Sequence, residues 1–167
     1  MIGRLAYRAR QFFSALTAPL AKEDLCLAQQ LLTPAQWTLF RRMSPSDRRH
    51  GLAVCRTLQA QGPQPADLLV AALLHDVGKI SVPSTIGVRV AAVVLERCAP
   101  RRLEREPASG WMRPVAAYRE HARRGAEWAA RAGCSPTTVD LIHRHEAPAD
   151  PETDPLLARL QAADDSW

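Results

Sequence analysis

The chain has 167 residues, 47% of them hydrophobic and 23% charged, enough for one domain with its own core. A net charge of +5 favours anionic partners such as phosphorylated metabolites or nucleotides. No basic run interleaved with aromatics points to a specific nucleic acid, and no segment is long and apolar enough to span a membrane.

The first 20 residues, MIGRLAYRARQFFSALTAPL, form a basic amphipathic stretch carrying Arg4, Arg8 and Arg10. It reads as a packing helix or as one lying on an anionic membrane surface, and it lacks the apolar run and cleavage site of a secretory signal. Thr33-Pro34 opens a short helix by the rule that places proline at the first helical position. Ser44-Pro45-Ser46-Asp47 opens another with Ser44 and Asp47 at capping-box spacing, and Gly62 stops it. His50, Ala53, Val54, Thr57 and Leu58 share its inward face.

The next stretch, DLLVAALLHDVGK, sets the terms for the rest. It predicts a helix over 65–77 with Leu69, Ala72, Leu73 and Asp76 on one stripe, His75 at the stripe's edge and Gly78 as the stop. Two ionisable groups at the buried end of an apolar helix cost free energy, and a metal ion is a common compensation for a His-Asp pair. The alternative is a helix end with Asp76 in solvent and His75 a satisfied core histidine.

Residues 87–98 predict a buried helix, although their β-branched run also fits a strand. Residues 99–110, polar and arginine-rich with two prolines, predict a long loop or a loop with a short helix. A long helix follows over 114–132, ended by Gly133, with His121, Gly125, Trp128 and Ala129 on one side. Gly125, one turn after His121, allows a close backbone approach. Ser135-Pro136 caps a helix running to about His145, which shares a face with Leu141 and Ile142 while His143 points away. Asp154-Pro155 opens the last helix, in which Asp164 lies on the stripe of Leu157 and Leu160. The sum is an all-α bundle of about seven or eight helices. Cys26, Cys55, Cys98 and Cys134 form no C-x-x-C pair and each sits among apolar residues, which predicts buried reduced thiols and a cytoplasmic protein.

Inward faces thus carry His50, His75, Asp76, His121, His145 and Asp164 on separate helices apart from the adjacent pair. A helical domain rarely spends six ionisable groups on core stripes without a site to serve. Imidazoles and carboxylates without thiolates suit iron, manganese, zinc or cobalt, and a bundle core can hold one or two such ions.

The ordered set His50, His75-Asp76, Asp164 resembles the H…HD…D signature of the HD-domain metal-dependent phosphohydrolases, and HDVGK is similar to the HDIG variant. His121 and His145 match the two extra histidines of HD-GYP and related subfamilies with dinuclear centres. The resemblance covers residues 44–165 and implies an HD domain over 33–167 behind an N-terminal helical extension, 1–32. It implies that His50, His75, Asp76 and Asp164 bind one metal ion, iron or manganese before zinc or cobalt. His121 and His145 then bind a second, bridged by Asp76.

Lys79 then contacts a substrate phosphate, with Arg124 as a further cation; otherwise Lys79 is a helix-end lysine interacting with the dipole. Arg48, Arg49, Arg123 and Arg124 form either an anion-binding rim or a solvated basic face, and Glu146 is a proton-transfer group or an exposed helix-end acid. The implied activity is hydrolysis of a small phosphoester, a nucleotide or a dinucleoside polyphosphate, by metal-activated water. No GYP follows His145, so cyclic di-GMP is not implied as the substrate. The other reading is a non-catalytic module that binds a metal or nucleotide and acts through protein contacts.

Overall fold

Proline behind a polar residue starts most of the helices in the computed structural model, which describes residues 22–81 and 118–166. They form α1 (Lys22–Leu31), α2 (Pro34–Arg41), α3 (Pro45–Ala60), α4 (Ala66–Leu74), a 3-10 helix (Val77–Ser81), α5 (His121–Arg131), α6 (Pro136–Arg144) and α7 (Pro155–Asp165), with no strand among the described residues. The expectations for the first 20 residues, for 87–98, for 99–110 and for Cys98 lie outside those residues.

Thr33 caps α2 through a reciprocal box, its hydroxyl accepting from the Gln36 N–H while Gln36 Oε1 accepts from the Thr33 N–H at 3.0 Å. At Ser44 the box closes differently. The hydroxyl accepts from the Asp47 N–H at 3.1 Å and donates to the Asp47 carboxylate at 2.7 Å, so Asp47 stays buried. Gly62 and Gly133 follow α3 and α5 at φ of 110° and 76°, the left-handed region where glycine is favoured. Asp154 opens α7 without capping it, because Arg144 holds its carboxylate in a two-pronged pair at 3.1 and 2.5 Å.

The core sits around α4. Leu68 to Leu74 are buried without a break, and α1, α3, α6 and α7 pack around them. The stripe expected of 65–77 is therefore a helix wrapped on every side, and each fully buried leucine there contributes about 2 kcal/mol. The chain leaves α-helical geometry at Leu74, and the 3-10 helix that follows packs on α5. Gly78 is not the expected helix stop: the α-helix ends at Leu74, and Gly78 lies inside the 3-10 turn. Its lack of a side chain is needed for contact, since a Cβ there would lie 1.8 Å from the His121 carbonyl oxygen.

Upstream, Ala28 and Leu32 of the predicted 1–32 extension join the same core as α3 and α4. Cys55 is buried and Cys134 half-buried, and burial pushes both thiols up to about 11. Cys26 departs from expectation and is exposed. Ala28 is the buried residue of α1, and a residue two positions before it points to the opposite side of a helix. No helix among the described residues is long and apolar enough to cross a membrane.

Candidate metal centre

Three buried histidines are oriented in the same way, each by the carbonyl three residues before it. His75 Nδ1 lies 3.0 Å from Ala72 O, His145 Nδ1 lies 2.8 Å from Ile142 O, and His121 Nδ1 lies 2.5 Å from Tyr118 O. His75 and His145 stand directly after α4 and α6, where the last carbonyls of a helix lack intrahelical partners. Donation from Nδ1–H fixes the tautomer and leaves the Nε2 lone pair pointing inward.

All three lone pairs face one carboxylate. Asp76 Oδ1 is 3.5 Å from His121 Nε2 and 3.8 Å from His145 Nε2, and Asp76 Oδ2 is 3.7 Å from His75 Nε2. His121 Nε2 and His145 Nε2 stand 3.3 Å apart. Between two imidazoles that both give Nδ1–H to carbonyls, such an approach sets lone pair against lone pair unless a cation lies between them. His75 Nε2 is buried and has no hydrogen-bond partner among the described residues. A buried acceptor without a donor costs about 1–3 kcal/mol, so the cluster is arranged for something positively charged.

On the more open side, α3 and α7 bring His50 Nε2 to 2.6 Å from Asp164 Oδ1, which is also 3.6 Å from His75 Nε2. The structure thus brings together all six residues singled out from the sequence. Their donors form two overlapping triads, His50 with His75 and Asp76, and Asp76 with His121 and His145. Within each triad the donor atoms lie within 4.8 Å of one another. Asp164 supplements the first, hereafter the outer triad, and Asp76 belongs to both.

Electrostatics shift these groups in different directions. Burial alone would raise the Asp76 carboxyl, but Lys79, His75, His121 and His145 together hold it well below the usual carboxylate range. Burial depresses His75, and it lowers His145 to about 3 with the help of the His75 charge. His121 goes the other way: burial opposes its charge, yet the Asp76 and Glu146 carboxylates beside Nε2 raise it. Burial would raise Asp164, but the His50 hydrogen bond together with the His75 and His50 charges lowers it.

Small residues make the convergence possible. A Cβ on Gly51, beside His50, would lie 2.9 Å from Leu73 O, so α3 can approach α4 only with glycine there. Gly78 and Gly125 face each other between the 3-10 helix and α5, the close approach expected of Gly125.

Around the cluster, Lys79 Nζ lies 2.7 Å from both Asp76 oxygens and 5.4 Å from the centre of the Tyr118 ring. Burial opposes the Lys79 charge, but Asp76, with Tyr118 and Asp47 beside it, raises the Lys79 pKa. Arg124 bonds to Glu120 and reaches the Ser81 hydroxyl at 3.3 Å, while Arg123 is taken up by Glu120 and Glu127. Arg48 and Arg49 are half-buried on the first turns of α3. His143 is exposed, and Glu146 Oε1, half-exposed, comes within 3.6 Å of His121 Nε2. Tyr118 was not anticipated, although its position three residues before a core histidine is the signal that would have found it.

No protein-family model matches the chain, and neither a curated protein nor a solved structure does. The description that fold and site support by themselves is an all-α protein with a buried histidine-carboxylate centre. Its donor set fits a divalent transition metal on two grounds. The donors are nitrogen and carboxylate oxygen without thiolate, and the orphaned Nε2 of His75 needs an electrophile.

Proposed function

We propose that this protein is a metal-dependent phosphohydrolase of the HD-domain type that cleaves a small phosphoester, a nucleotide or a dinucleotide. The observation that carries the reading is the trio of imidazoles tethered at Nδ1 and aimed with Nε2 at the single carboxylate of Asp76. A structural histidine needs one partner. Three sharing an acid already neutralised by a lysine have no structural task left.

His50, His75, Asp76 and Asp164 would hold one divalent ion, iron or manganese in preference to zinc or cobalt, and Asp76, His121 and His145 a second. Such ions supply a lowered pKa for bound water and polarisation of phosphoryl oxygens. The chain's own residues do the rest. The carbonyls of Ala72, Tyr118 and Ile142 keep the imidazoles in place, so donor geometry needs no rearrangement when charge builds on the phosphoryl group. Lys79 supplies a cation beside the substrate phosphate, and Glu146, half-exposed near His121, is placed to pass a proton to the leaving oxygen.

The test is metal content per chain, measured on protein purified without air, chelator or affinity tag, for the native sequence beside Asp76→Ala. Near two equivalents of iron or manganese, lost in the variant, together with turnover of a nucleotide or of bis-p-nitrophenyl phosphate, is the expected result. One equivalent would confine the reading to the outer triad. No metal, with reconstitution also failing, would overturn the hydrolase and leave a module acting through protein contacts.

A further inference from the structure

Lys79 is tied to the middle of the cluster in a way that hydrolysis alone does not require. It stands three residues after Asp76, in a turn of 3-10 geometry where residues three apart eclipse each other, so its ammonium is delivered back onto the preceding carboxylate. Both oxygens of Asp76 are within 2.7 Å of Nζ. Those are the two oxygens a bridging carboxylate would give, one to each metal ion. A divalent ion and an ammonium on the same carboxylate repel each other, so one must yield.

The ammonium can yield. It sits on a flexible four-carbon stem, has N–H groups beyond the one it donates to Asp76 Oδ2, and has the π face of Tyr118 at 5.4 Å. A phosphate oxygen at the cluster offers it a second anionic partner.

We propose that Lys79 is an internal cation competing with metal for Asp76, and that a phosphate anion relieves this competition by drawing the ammonium away. This rests on the metal centre proposed above and adds its regulation. Substrate phosphate and the second metal ion then bind cooperatively, and by linkage each raises the other's affinity by the same factor. The site would fill completely only when there is a phosphate to cleave.

The experiment is calorimetric titration of Mn²⁺ into the chelator-stripped full chain, with and without inorganic phosphate, for the native protein, Lys79→Met and Lys79→Arg. Lys79→Met, which keeps the stem and removes the charge, is expected to bind the weaker equivalent of Mn²⁺ at least tenfold more tightly without phosphate. Its phosphate enhancement should fall well below the native value, while Lys79→Arg keeps native-like linkage. Because loss of the ammonium leaves Asp76 without its counter-ion, each variant's thermal melt is recorded beside the titration. The native protein carries a test of its own, since phosphate must tighten its weaker Mn²⁺ site severalfold. Unchanged or weaker Mn²⁺ binding in a folded Lys79→Met, or a native site indifferent to phosphate, would overturn the competition while leaving the metal centre standing. Failure of every protein to bind Mn²⁺ would instead overturn the metal centre itself.

Discussion

The two sides of the cluster are built on different terms. On the outer side His50 and Asp164 are 18% and 31% exposed and touch at 2.6 Å, so water shares the cost of placing them there. On the inner side His121, His145 and Asp76 are 0%, 5% and 4% exposed, and protein groups supply the compensation: two backbone carbonyls, one lysine and the carboxylate itself. A half-solvated pair tolerates the loss of a partner. A dry cluster does not, because whatever remains is an uncompensated buried charge or lone pair.

The hardest way to break this difference is Asp76→Ala, which removes the group common to both sides. The proposed phosphohydrolase activity should fall by about 10³-fold or more, as expected when charge stabilisation at a reacting phosphoryl group is lost. Stability should fall as well, by about 3 kcal/mol, because Lys79 is left charged and buried. The double variant Asp76→Ala, Lys79→Met should recover part of that stability and none of the activity. Denaturant melts and turnover assays on the same preparations separate the two effects.

Gly78→Ala attacks the inner side through the backbone. The added methyl would overlap the His121 carbonyl, which is rigid backbone, so the 3-10 helix and α5 must move apart. A cost of about 3 kcal/mol is expected, with loss of metal at the inner triad before the outer one. A melt and metal content close to native would show that the contact between Gly78 and α5 does not set the geometry. Gly62→Ala is the control: its added methyl meets nothing within 4 Å, and only its positive φ is strained.

How far this contrast could be read in the sequence depends on the kind of signal each part leaves. Helix starts were legible because Thr33, Ser44 and Ser135 act on groups a few residues away, and the structure uses all three as caps. The six cluster residues were legible because each falls on an apolar face at helical spacing. What sequence could not give was the switch from α to 3-10 geometry after Leu74, since it is set by contact between Gly78 and α5, more than 40 residues away. The same holds for Lys79, whose spacing from Asp76 fits a dipole interaction at a helix end as well as an ion pair. Cys26 shows the opposite limit, where apolar neighbours in sequence suggested burial that the helix's orientation does not provide.

The mildest prediction uses pH, and it applies to metal-stripped protein. His145 has its pKa lowered from 6.5 to about 3, so between those values the unfolded chain binds a proton that the folded chain refuses. The stability tied to this group is complete above pH 6.5 and drains away as pH falls. At pH 5 the deficit is about 2 kcal/mol, from 1.36 kcal/mol per pH unit. His75, also lowered by burial, adds to the loss in the same window. His121, raised by Asp76 and Glu146 against its burial, works in reverse: its contribution is complete below 6.5 and disappears as pH rises through its folded value, so it offsets part of the loss. Asp76 and Asp164, both lowered from 3.8, enter only in more acidic solution. Melts of the stripped protein should therefore drop between pH 7 and pH 5, and His145→Gln should flatten the slope. Mn²⁺, occupying the lone pairs that protons would otherwise take, should lift the curve more at pH 7 than at pH 5, where protons compete for them more strongly. A slope that is unchanged in His145→Gln would mean that burial does not hold His145 neutral, and with that the contrast between the dry and the half-solvated side would fail.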